Sequence, residues 1–143
     1  MKIDASNPQY HIRDQSMNEQ HQLIFGAINL LYDAMIDRDP PEIIKALFEQ
    51  LAEFVDAHFT SEEALMAESR FPKLNEHRSE HAYFLARVRI LQHNFQTGRK
   101  HTQISQTIES LCEWISDHVL THDKDFDRWT AESQLTSRNQ KVT

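Results

Sequence analysis

Glycine is nearly missing from this chain. There are 2 in 143 residues, where ordinary usage of about 7% would give roughly ten. Proline is scarce too, at 4. Strand-rich folds need a Gly- or Asn-Gly-type turn every 8–12 residues or so, so all-β architectures are excluded. Neither GxGxxG nor GxxxxGK[ST] occurs, which removes the Gly-rich phosphate loops. A single cysteine, Cys112, cannot close an internal disulfide. Basic residues are outnumbered, 15 Lys+Arg against 22 Asp+Glu, and the formal net charge is −7. With no basic stripe, nucleic acid is not expected as a partner. Apolar runs are short: none approaches the roughly 18 residues of a membrane span, and the first residues lack the apolar stretch of a signal peptide. A soluble, cytoplasmic protein is expected.

What the chain does have is helical periodicity and nine histidines. After a polar N-terminal arm (1–15), Ser16-Met17-Asn18-Glu19 has the form of a capping box. Apolar residues then recur three and four apart from Leu23 to Met35, until Asp39-Pro40-Pro41. A second stripe runs from Ile44 through Phe48 and Val55 to Met66 and stops at Arg70-Phe71-Pro72. A third runs from Leu74 to Phe95 and ends at Thr97-Gly98. A fourth runs from Ile104 to Ile115 and on toward Phe126 and Trp129. Residues 130–143 are polar and read as a frayed tail. The expectation is a single all-α domain over 1–143 with its core at about 16–129. Short connections make it an antiparallel up-down-up-down four-helix bundle.

Several histidines fall inside these stripes. His58 follows Val55 by three and precedes Glu62 by four, one turn along the same face. His77 and His81 form an i, i+4 pair between Leu74 and Phe84. His118 lies three past Ile115, and His21 opens the first stripe. Five imidazoles and a carboxylate sharing one small core cannot satisfy one another, because a neutral ring offers one donor and one acceptor. Each buried polar group left unpaired costs about 1–3 kcal/mol, and metal ions remove that cost. One zinc needs fewer ligands, and calcium and magnesium want oxygen. Five His with carboxylates suit iron and suffice for two ions. The Glu-x-x-His pairs of the ferritin-like carboxylate bundles are absent.

The pieces Glu19-Gln20-His21, His58-Phe59-Thr60-Ser61-Glu62-Glu63, His77-Arg78-Ser79-Glu80-His81 and Trp114 to Asp123, in that order over about residues 10–127, resemble the hemerythrins, single-domain bacterial members above all. The resemblance implies two iron ions in an oxo- or hydroxo-bridged di-iron centre. It makes His77, His81 and His118 terminal ligands of one iron and His21 and His58 those of the other, with Glu62 and Asp123 bridging. It implies reversible binding of dioxygen by a carrier or store rather than an enzyme, with a protein acceptor of dioxygen as a further partner. The alternatives on the same site are a sensor of dioxygen or iron, and a scavenger of dioxygen, peroxide or nitric oxide. Phe59, Leu85 and Ile115 are expected to keep water out.

Spacing and resemblance disagree on the fourth helix. On an ideal helix Asp123 lies about 140° round from His118, whereas His122 stacks above it. Spacing selects His122; the resemblance selects Asp123 and leaves His122 a bystander. Asn18 stands where relatives usually have Asp, and the usual early Trp is missing from the arm. Glu63 is expected to face solvent, as are His11, His93 and His101, and Cys112 to be a small buried apolar residue.

Overall fold

The computed structural model describes residues 2–142, with side chains through 134. After a short 3-10 turn at Pro8–Tyr10 come α1 (Gln15–Ile36), α2 (Pro41–Glu68), α3 (Leu74–Gln96) and α4 (His101–His118). A π-helical turn, Val119–Asp123, then joins α4 to α5 (Lys124–Val142) without a break, so these three make the fourth helix of the bundle. Connections of four or five residues (37–40, 69–73, 97–100) force consecutive helices to run antiparallel. α1 packs on α2 and α4, and α3 packs on α2 and α4, which closes a square.

The ends explain how so little glycine suffices. α1, α2 and α3 each finish in a Schellman motif: the amides of Asp39, Phe71 and Arg99 reach back to the carbonyls of Ala34, Met66 and Asn94 at 3.0, 2.9 and 3.0 Å. The residue that turns left-handed is Gly98 (φ 84°) only in α3. In α1 and α2 it is Arg38 (φ 55°) and Arg70 (φ 59°), although glycine usually takes this place.

The stripes read from the sequence bury their apolar side chains. Ile24, Ile28, Leu31, Ile44, Phe48, Leu51, Val55, Phe84, Val88 and Ile108 are all fully enclosed, and Cys112 is buried with them. Leu23 is an exception: it is 51% exposed, on the outer face of α1. A smaller cluster at the other end joins Met66, Phe71 and Phe126, with Leu65, Leu74 and Trp129 packed against it. Phe71 stands edge-on to both Phe126 (4.9 Å) and Trp129 (5.4 Å), which pins α5 to the α2–α3 connection.

The N-terminal end differs from the sequence reading. α1 is capped by Asp14, whose side chain accepts from the Met17 amide at 3.0 Å, and not by Ser16. The arm, read as polar, buries Ile3, Tyr10 and Ile12. Two asparagines of α1 hold it through paired backbone bonds. Asn29 accepts from the Ile3 amide (2.9 Å) and donates to its carbonyl (2.8 Å). Asn18 does the same to Ile12 at 2.9 and 2.5 Å. Tyr10 adds a short hydroxyl bond to Ser116, and Arg13 reaches Asp127 and Thr130. At the other end, helix continues through the residues read as a frayed tail, to Val142.

Candidate metal centre

His21, His58, Glu62, His77, His81, His118 and Asp123 come together in the half of the bundle that holds the α2–α3 connection, and none is more than 3% exposed. Ordinary helix geometry supplies most of this. α1 offers His21, α2 offers His58 and Glu62 one turn apart, α3 offers His77 and His81 one turn apart, and α4 offers His118 from its last residue. Asp123 needs something else. The π-helical turn 119–123 holds one extra residue per turn, so the residue at i+5 comes round to the face that i+4 would otherwise occupy. Asp123 is therefore inside, with Oδ1 3.3 Å from His118 Nε2. His122 is displaced to the boundary, half-buried, with its ring stacked on that of His118 at 5.2 Å. The turn removes the conflict between spacing and resemblance.

The polar atoms of these seven residues divide into two groups. Glu62, His77, His81, His118 and Asp123 form one; His21, His58, Glu62 and Asp123 form the other. Both carboxylates belong to both groups, and each directs a different oxygen to each. Glu62 Oε1 lies 2.5 Å from His77 Nε2 and 3.2 Å from His81 Nε2, while Oε2 lies 3.2 Å from His58 Nε2. Asp123 Oδ1 lies 2.9 Å from His77 Nε2, while Oδ2 lies 3.1 Å from His21 Nε2. Ligands about 2.1 Å from a common ion stand about 3 Å apart along the edges of its coordination shell, which is the spacing seen.

These short distances are mostly not hydrogen bonds. Nε2 of His21, His81 and His118 and Oδ2 of Asp123 have no aligned partner although all are buried. Such orphans are rare in folded proteins. Donors that crowd together yet miss one another are aimed at points between them, and this donor set, imidazole with carboxylate, fits iron.

The charge balance agrees. Burial disfavours an imidazolium, yet contacts with Asp123 and Glu62 outweigh it and push both His21 and His77 up to about 9. Burial would likewise raise Glu62 and Asp123, but the surrounding histidines hold both well below the usual carboxylate range. His118 goes the other way, pushed down chiefly by burial. The two carboxylates thus favour positive charge on His21 and His77.

Comparison with known proteins fits this arrangement. The Hemerythrin HHE cation binding domain matches residues 14–128. The chain belongs to the hemerythrin family. Proteins named bacteriohemerythrin are similar along most of it. That of Methylococcus capsulatus is 30% identical over 108 residues, 75% of this chain and 80% of the relative. That of Pseudomonas paraeruginosa is 28% identical over 110 residues (76% and 69%), and that of Clostridium acetobutylicum 22% over 121 residues (82% and 94%). The hemerythrin family binds dioxygen, and membership in it implies a non-haem iron site. No described helix is long and apolar enough to cross a membrane.

In this hemerythrin fold two further residues matter that sequence reasoning did not find. Glu63, expected to face solvent, is half-buried, and His81 Nδ1 donates to its Oε2 at 3.0 Å. Gln20 Oε1 accepts from His58 Nδ1 at 2.7 Å. A carbonyl or carboxylate oxygen can only accept, so both rings carry their proton on Nδ1 and turn the Nε2 lone pair inward. Gln20 and Glu63 each neighbour an inward-facing residue in sequence, about 100° round the helix, which puts them behind the next ring. Aromatic rings close the sides: Phe59 lies flat on His81 at 3.8 Å, and Trp114 flat on His118 at 4.8 Å. A cleft of about 260 Å³ past Met17, Leu65 and Phe126 reaches Glu62 and Asp123 from the bundle end.

Proposed function

We propose that this chain holds two non-haem irons and uses them to bind dioxygen reversibly, as a carrier or store. In this reading His77, His81 and His118 serve one iron, His21 and His58 the other, and Glu62 and Asp123 bridge them. The observation that carries it is the split carboxylate: each acid gives one oxygen to the three-histidine group and the other to the two-histidine group. One group then has five protein ligands and the other four, so the poorer one has room for a small ligand. The bound irons would supply the electrons that dioxygen needs to bind.

The protein's own part is orientation and exclusion. Gln20 and Glu63 fix the tautomer and angle of His58 and His81. Phe59 and Trp114 hold the imidazole planes and keep water from the rings they cover. With five imidazoles and only two carboxylates, the ligand set carries less negative charge than a carboxylate-rich site and favours binding over oxygen–oxygen cleavage.

The test is an absorption spectrum of the reduced, iron-loaded protein before and after air and again after removal of oxygen, with an iron count. The expected result is two irons per chain and a visible band that appears with air and disappears on deoxygenation. Iron near zero or one per chain, or a spectrum that air leaves unchanged, would contradict the reading.

A further inference from the structure

At the opposite end of the bundle, where the α1–α2 and α3–α4 connections meet, lies a cleft of about 720 Å³. It is about 20 Å from the candidate metal centre, judged by the thirteen or so residues of α2 between them. In a chain with an excess of acid, its walls carry four cations, Arg38, Lys45, Arg99 and Lys100, against the single carboxylate of Glu42. None of the four makes an ion pair or side-chain hydrogen bond among the described residues.

Their placement runs against local preference. α2 and α4 both begin at this cleft, and a helix N-terminus is positive. Their capping residues are Pro40 and Lys100, neither of which bonds a first-turn amide through its side chain. The amides of Glu42, His101 and Thr102 are thus left without intrahelical partners at the wall, with like-signed cations beside them. Arg38 also occupies a left-handed position that glycine would fill with less strain. An anion would relieve this repulsion and use these donors together. The cleft is not purely polar: the half-buried Phe95 ring lines it, with the His101 ring edge-on at 6.2 Å. Its volume is within the range of small-molecule sites, about 300–1,000 Å³.

We propose that this distal cleft binds a small phosphate-bearing ligand with a planar ring, of the nucleotide class. The phosphates lie among Arg38, Lys45, Arg99 and the first-turn amides of α2 and α4, and the ring lies against Phe95. The site is independent of the iron reading.

Calorimetric titration of the iron-loaded full chain with ATP, pyrophosphate and adenosine tests it. ATP should bind, pyrophosphate should bind more weakly, adenosine should not bind, and ATP affinity should fall as salt rises. In the triple variant R38G/K45A/R99A, affinity should drop about tenfold or more with iron content unchanged. Glycine is chosen at 38 because it suits the left-handed backbone. No heat with ATP, ATP binding that survives the triple substitution, or adenosine binding as tightly as ATP would overturn the proposal. So would poly-glutamate binding more tightly than ATP, which would mark the cleft as a dock for an acidic protein segment.

Discussion

The two halves of this bundle are held together differently. Around Ile28, Leu31, Ile44, Phe48, Val88, Leu91, Ile104 and Ile108 the interior is apolar and closed. In the other half the same four helices enclose five imidazoles and two carboxylates whose facing atoms largely miss one another. The first half needs nothing beyond the chain, since apolar burial contributes about 25 cal/mol per Å². The second has a small apolar cluster at its end, and on the proposed reading its imidazoles and carboxylates pack as a core only with cations bound. The main apolar core and the candidate metal site are thus separated along the helix axes, and truncating a residue of either should act chiefly on that one.

Metal removal should separate them most. If iron is present at about a thousand times its dissociation constant, binding contributes about 4 kcal/mol, so chelation should lower the melting midpoint by about 8–16 °C for a chain of this size. Hydrogen exchange should then quicken around His21, His58, His77 and His118 while the amides near Phe48 and Val88 stay protected. Equal midpoints with and without chelator would break the comparison.

Phe48→Ala should do the reverse. Truncating a fully buried ring costs about 3–5 kcal/mol, while the folded protein keeps its iron stoichiometry. Urea unfolding together with metal analysis checks both.

The metal-free protein should show its own pH dependence. His21 and His77 are raised to about 9 from 6.5. Their contribution is therefore full below pH 6.5 and is lost as pH rises from 6.5 through 9. Glu62 and Asp123 are depressed, and their contribution is lost as pH falls through and below the usual carboxylate range. His118, pushed down, works against the other two histidines. Apo-protein melts should thus peak near pH 5–6.5 and decline toward pH 9. A melting point that climbs over that upper interval would contradict the charge balance.

Gln20→Ala and Glu63→Ala should weaken iron binding about 10–100-fold by freeing His58 and His81 to rotate, read by competition with a chelator. The smallest effect belongs to the chain ends: Arg70→Gly should raise unfolding stability by up to about 1 kcal/mol by relieving the left-handed turn, without touching iron content.

Much of this was legible in the sequence, because the bundle rests on a period that can be counted. Ile24, Ile28 and Leu31 repeat the helical turn, and His58–Glu62 and His77–His81 lie on it too, so helices and inward histidines emerge together. Asp123 breaks the period. The extra residue of the 119–123 turn has no mark in composition or spacing, and only resemblance pointed to that acid. Gln20 and Glu63 stand beside inward residues and look like solvent-facing neighbours until the adjacent helix is in place. The arm escaped for a related reason. Asn18 and Asn29 hold Ile12 and Ile3 across the chain, and a side-chain bond to a distant backbone leaves no periodic trace.

The fourth helix therefore offers the most direct test of the central claim, that the π-helical turn places Asp123 and not His122 among the ligands. The measurement is iron per chain in Asp123→Ala and His122→Ala, prepared side by side. The account predicts two irons in His122→Ala and fewer than two in Asp123→Ala. Full iron in Asp123→Ala with loss in His122→Ala would contradict it.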